Sequence, residues 1–210
     1  LVLVMVLGML PTVAIAAETD ADAVSIKTAE EFAAMDAAGS YKLEADITLS
    51  APYANNFSGT FNGNGHTITL NIVGSERYQG VFGKLAGGAT VRNLTVDGTL
   101  TGGNMLGAIA GLASSNDGDI LIEDCKNTAA VSGGRNIGGI IGSASASSSN
   151  PGKVTIRGCA NTGSITGSAG NVGGIAGNAS GAAHVVLNCY NHGAISGYSD
   201  FAGLVGNLGD

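Results

Sequence analysis

The chain has 210 residues, of which 35 are glycine, 3 proline and 3 cysteine; charged residues make up 12% and the formal net charge is −7. Glycine without a strict three-residue period, beside so little proline, excludes collagen, and a chain that is 44% hydrophobic is too apolar for intrinsic disorder. Nine basic residues against 16 acidic ones cannot build a basic nucleic-acid groove, so nucleic acid is not an expected partner, while the length suffices for one domain with a core.

Residues 1–10 (LVLVMVLGML) are almost wholly apolar and are followed by Pro11, VAIAA and an acidic run at Glu18 and Asp20. An apolar core ending in Ala14-Ile-Ala16 reads as the tail of a secretory signal peptide, residues 1–16, whose basic n-region is missing. The segment is shorter than the ~18 apolar residues that argue a membrane span. The mature chain is therefore expected not to span a membrane. Residues 17–26 read as a linker, and 27–210 as one repetitive domain, cut short at its C-terminus.

Thr28 followed by Glu31 forms the signature of a capping box, which predicts a short helix over 28–35 with Phe32, Ala33 and Met35 on its apolar face. Residues 41–49 (YKLEADITL) alternate as a strand would, with Leu43, Ala45, Ile47 and Leu49 on one side. The two Asn-Gly pairs between Phe57 and Ile68 are too close for separate hairpins and predict a sharp corner.

The remainder repeats. Residues 94–111, 125–142, 159–177 and 189–206 superimpose, and their closing glycines Gly111, Gly142, Gly177 and Gly206 are 31, 35 and 29 residues apart; a fifth, weaker copy closes at Gly83. Each unit reads as three short strands and three glycine-rich corners. The first strands are 90–96, 120–123, 154–157 and 185–187, and the third strands are 106–110, 137–141, 172–176 and 201–205. Three strands in about 30 residues make one coil of a solenoid, with about five coils stacked by parallel pairing. In-register stacking places Asn127, Asn161 and Asn191, each two residues after Cys125, Cys159 or Cys189, in one column and predicts an asparagine ladder beside buried thiols. The main insertions, 113–119, 143–152 and 178–182, fall at one corner and predict loops on one edge.

The endings Gly80-Val-Phe-Gly83, Gly139-Ile-Ile-Gly142, Gly174-Ile-Ala-Gly177 and Gly203-Leu-Val-Gly206 resemble the GLUG motif of bacterial surface proteins, and residues 57–68 look like the segment that precedes such repeats. The resemblance implies an all-β, right-handed parallel β-helix of the pectate-lyase-like kind, in secreted or wall-attached proteins that often carry further domains, sometimes a peptidase. The copy Gly107-Ala-Ile-Ala-Gly111 departs from the pattern by one inserted residue, Ala108.

β-Helices also host polysaccharide-cleaving enzymes, which need paired carboxylates or a base with charge neutralisation. Asp97 maps in the repeat onto Thr128, Thr162 and His192, so no column of acids results. Asp117 and Asp119 are the acidic pair to consider for Ca²⁺, but they lack the rest of a calcium loop. His66, in the Asn-Gly-His-Thr corner, reads as structural rather than as a general base, His184 and His192 have no convincing acid or metal partner, and no phosphate loop occurs, so neither a cofactor nor a catalytic set is expected. Tyr78, Tyr190 and Tyr198 are the candidates for stacking on sugars. The reading is a non-catalytic extracellular scaffold or stalk with an adhesive role, whose partners are a glycan or a host or cell-surface protein. Carbohydrate binding or cleavage, or the N-terminal part of a larger surface enzyme with its catalysis after residue 210, is the alternative.

Overall fold

In a computed structural model, residues 22–146, 149–181 and 184–209 are described. The expected leader, residues 1–16, lies outside them. The architecture is an all-β parallel solenoid with coils of about 30 residues and a short N-terminal helix. Strands run around three faces, and every inter-strand ladder is parallel. On the first face, Val24–Ile26, Ser40–Leu43, Thr60–Asn62, Thr90–Arg92, Ile120–Glu123, Val154–Arg157 and Val185–Leu187 follow one another in space as they do in sequence. The third face repeats that order from Tyr53–Phe57 to Val205–Leu208. Val24–Ile26, in the stretch read as linker, pairs with Tyr41–Leu43 and so is the first rung of the stack.

Stacking at one strand spacing per coil sets like residues over like. Tyr41, Phe61, Val91, Ile122, Ile156 and Val186 form one inward column on the first face. Ile72, Leu100, Val131, Ile165 and Ile195 form another on the second. Ile175 stands among Ile109, Ile140 and Leu204, joined through backbone hydrogen bonds of 2.9 Å from coil to coil. Burying such columns is the main apolar gain of the fold.

The interior changes along its length. Near the N-terminus it is aromatic: Phe32 from the helix packs edge-on against Tyr53 and Phe61, tilted against Phe82, at centroid distances of 6.0, 5.6 and 5.7 Å. Helix Ala29–Ala33 has its capping box formed, with Thr28 Oγ1 accepting from Glu31 N at 3.2 Å and Glu31 Oε2 accepting from Thr28 N at 3.3 Å. Phe32 and Met35 are buried, whereas Ala33, expected on the same face, is exposed because the helix is too short to bury a wide stripe. Tyr53 Oη donates to Met35 O at 2.7 Å, locking the helix over the end of the stack. Farther along, the filling is Ile, Val and Ala. In the last described coil, Phe201, aligned with Val172, is 59% exposed, because no further coil covers it among the described residues.

Several strand boundaries differ from the sequence reading. Residues 41–49 make two strands, Ser40–Leu43 and Ile47–Leu49, on different faces; the alternation of apolar residues runs through the corner without a break and so conceals it. Residues 90–96 divide likewise at Asn93, whose φ of 52° turns the chain. The Gly-x-x-Gly endings are corners, not strand ends: Ala130–Gly138 lies on the second face and Ile141–Ser145 on the third. The third-face strands therefore run into the stretches read as insertions. Ser143 and Ala144 are buried in that sheet, and a run of Ser and Ala looks like a loop only because its inward residues are small. Counted by first-face strands that are followed by the other two faces, six coils are described, one more than the glycine repeat indicates, because the coil begun by Ser40–Leu43 lacks that repeat.

Candidate functional site

The corner after the first face carries the densest side-chain order. Pairing Lys126 with Ala160 and Ala160 with Tyr190 sets Cys125, Cys159 and Cys189 one above another, below them Leu94. The three thiols are free, the first two buried and Cys189 half-buried. Each Sγ–H faces a carbonyl of its own coil, Glu123 O, Arg157 O and Leu187 O, at 3.2, 3.3 and 3.3 Å. The Cys125 thiol beside Cys159 pushes the Cys159 thiol well up from its ordinary range, and the Cys159 thiol, then burial, does the same to Cys189. Cys159 and Cys189 are therefore poor nucleophiles at neutral pH.

Two residues on, Asn127 Nδ2 donates to Asn161 Oδ1 at 2.7 Å, and Asn161 Nδ2 to Asn191 Oδ1 at 2.6 Å. Each amide also closes a local turn, Asn127 Nδ2 onto Ala129 O at 3.2 Å and Ala129 N onto Asn127 Oδ1 at 2.9 Å. In the preceding coils the same inward column is Ile47, Ile68 and Val96. The difference has a backbone cause. Thr95–Thr101 is one continuous strand, whereas Lys126–Asn127 and Ala130–Gly138 are separated by Thr128 and the buried Ala129, whose N–H and C=O both need partners. An asparagine supplies both a donor and an acceptor there.

The closing glycines Gly83, Gly111, Gly142, Gly177 and Gly206 fall in register on the third face. At Gly177 a Cβ would overlap the backbone nitrogen of Ile137 in the preceding coil. This corner brings two backbones within contact, which a side chain forbids.

The remaining candidates are dispersed. Thr128 Oγ1 donates to Asp97 Oδ1 at 2.8 Å, so this position carries one carboxylate rather than a pair. Asp117 accepts from Asn150 Nδ2 at 2.9 Å and Asp119 from Lys153 N at 2.9 Å, so both are engaged by the next coil, and no metal-ligating cluster is found among the described residues. His66 meets Asp46 at 3.1 Å; the Thr67 backbone N–H, then the imidazole, hold the Asp46 carboxyl below its usual range. His184 accepts from Val154 N at 3.1 Å, and the His192 ring lies 5.0 Å from Tyr190.

The three tyrosines are not brought together: Tyr190 and Tyr198 belong to the last described coil, 49% and 85% exposed, and Tyr78 lies near the other end. The ring of Tyr78 carries Arg77 at 4.9 Å and Lys84 at 4.6 Å from its centroid. Sequence reasoning missed this cluster because the two cations are seven positions apart and belong to different elements. Among the described residues, no helix is long and apolar enough to cross a membrane.

No protein-family model matches the chain. A stretch of 94 residues, 43% of the chain, is 34% identical to halomucin of Haloquadratum walsbyi, and the match spans 1% of that protein. In structure the chain is similar to a "putative immunoglobulin A1 protease" from Bacteroides ovatus, with a TM-score of 0.70 over 89% of this chain and 62% of that one, at 21% identity. The chain thus spans under two thirds of each of these proteins, and the structural likeness is one of fold, a parallel β-solenoid.

Proposed function

We propose that the chain is a non-catalytic β-solenoid scaffold of a secreted or cell-surface protein, holding other parts of that protein, or an adhesive face, away from its base. The observation that carries this reading is the uninterrupted stack: three parallel sheets, a helix seated on one end and side-chain ladders at a corner, with Asp97, Asp117 and Asp119 each engaged singly. Such a stack resists bending and offers long repetitive faces. The expected leader and GLUG-like endings support an extracellular place.

The test is a panel of surface polysaccharides and peptides incubated with the chain while reducing ends, unsaturated ends and free amines are followed. Retention of ligands without new ends supports the scaffold. Steady release of product overturns it. The alternative of a solenoid segment within a surface peptidase draws on the description of its structural neighbour, and predicts that cleavage requires a domain other than this one.

A further inference from the structure

A groove of about 270 Å³ runs between residues 52–56 of one coil and 76–84 of the next. Its floor and walls include Pro52, Asn56 and Gln79, and it contains Tyr78 with its two cations. Asn56 and Lys84 are register partners on the third face, so an amide and an ammonium stand side by side. Neither Arg77 nor Lys84 forms an ion pair among the described residues, although the chain as a whole carries a net charge of −7. Glu76 is the carboxylate that also lines the groove.

The arrangement is held in place before any ligand arrives. Tyr78 sits at φ 59°, and its backbone N–H donates to Asn104 O at 3.1 Å; Glu76 O accepts from Gly103 N at 2.8 Å. The next coil therefore pins the segment, and the ring holds two otherwise flexible cations over itself. Two unneutralised cations attract an anion. The exposed Asn56 amide offers the donor and acceptor that hydroxyl groups need, Pro52 offers a flat apolar surface, and Gln79, buried with its Nε2 donating to Arg77 O at 3.4 Å, braces the Arg77 backbone. With Arg77 and Lys84 already over the Tyr78 ring, charge rather than ring stacking is the principal attraction, which changes the part that Tyr78 plays from the one expected of a sugar platform.

We propose that this groove binds an acidic sugar, a carboxylate- or sulfate-bearing saccharide unit, with Arg77 and Lys84 on the acid group and Asn56 on hydroxyls. This goes beyond the scaffold reading, which holds whether or not the groove binds anything.

The experiment is fluorescence anisotropy of the full chain with four labelled probes: an oligogalacturonate, the same oligomer with its carboxyls reduced to alcohols, a sulfated oligosaccharide and an oligoglutamate peptide. At least one acidic sugar should bind, more weakly as salt rises, and which of the two binds identifies the acid group. Arg77→Gln and Lys84→Gln should each lower affinity about tenfold, the equivalent of one charge-assisted hydrogen bond, and Glu76→Gln should raise it. Arg77→Lys should retain more binding than Arg77→Gln, which separates lost charge from lost folding. The proposal is overturned if neither acidic sugar binds, if the reduced oligomer or the peptide binds as tightly as the acidic sugars, or if the glutamine variants bind like the parent.

Discussion

The side-chain amide of Asn161 accepts from Asn127 at 2.7 Å and donates to Asn191 at 2.6 Å, so that one residue joins three successive coils. It also donates to Gly163 O at 3.0 Å. Asn127 and Asn161 are at zero exposure, where a group that loses its partner cannot turn to water instead.

Asn161→Ala should therefore cost more than a single hydrogen bond. It takes one acceptor from the Asn127 amide and a donor from Asn191 Oδ1 and opens a small void, and a loss of about 2–4 kcal/mol is expected. Urea unfolding followed by far-UV circular dichroism measures it. A midpoint within error of the parent would show that the column bears no stability. Asn191→Ala, at the half-buried end of the same column, should cost less.

Glycine substitutions should divide by backbone contact, not by position in the repeat. Gly177→Ala forces a Cβ onto Ile137 N and should destabilise by more than about 2 kcal/mol, since two packed coils must separate. Gly74→Ala meets nothing within 4 Å and needs no positive φ, so it should be neutral or slightly stabilising. Paired thermal melts check the contrast, and equal shifts would refute the account of the corner.

The helix acts as a plug through one side chain. Phe32→Ala removes a ring in contact with Tyr53, Phe61 and Phe82 and should cost about 3–5 kcal/mol. Thr28→Ala removes only the cap and should cost about 1 kcal/mol. Hydrogen exchange should show the Phe32 variant opening first in Ile47–Leu49 and Tyr53–Phe57, the strands that the helix touches.

Stability should fall at both ends of the pH scale, for groups at opposite ends of the stack. Asp46 has its folded pKa lowered, so its contribution is present above the ordinary carboxylate range, about 4, and is lost as pH falls through the lower folded value. Asp46→Asn should flatten the acid limb of an unfolding profile. Cys159 and Cys189 have theirs raised, so their contribution is present below the ordinary thiol range, about 8.5, and is lost as pH rises toward the folded values. Iodoacetamide near pH 8 should accordingly label the folded chain slowly, at Cys189 before Cys125 and Cys159, and all three rapidly in urea. Rapid labelling of Cys159 in the folded chain would contradict its burial.

The coil repeat, the parallel stacking and the capping box were legible in the sequence because each depends on local spacing: glycines recurring near every 30 residues, and Thr28 three before Glu31. Strand boundaries were not. A corner between two faces leaves the inside–outside alternation of Leu43 and Ile47 unbroken, and buried Ser143 looks like a loop residue until its neighbours are known. What the sequence by itself determined is the period, the kind of residue at each corner and hence the class of fold. Only the tertiary structure decided why Val96 gives way to Asn127 in one inward column, since that depends on whether the strand is continuous there. It also decided that Arg77 and Lys84 share the ring of Tyr78, because one lies on a loop pinned by the next coil and the other on a neighbouring strand. Position along the chain specifies neither relationship; both arise only when the coils are closed and stacked.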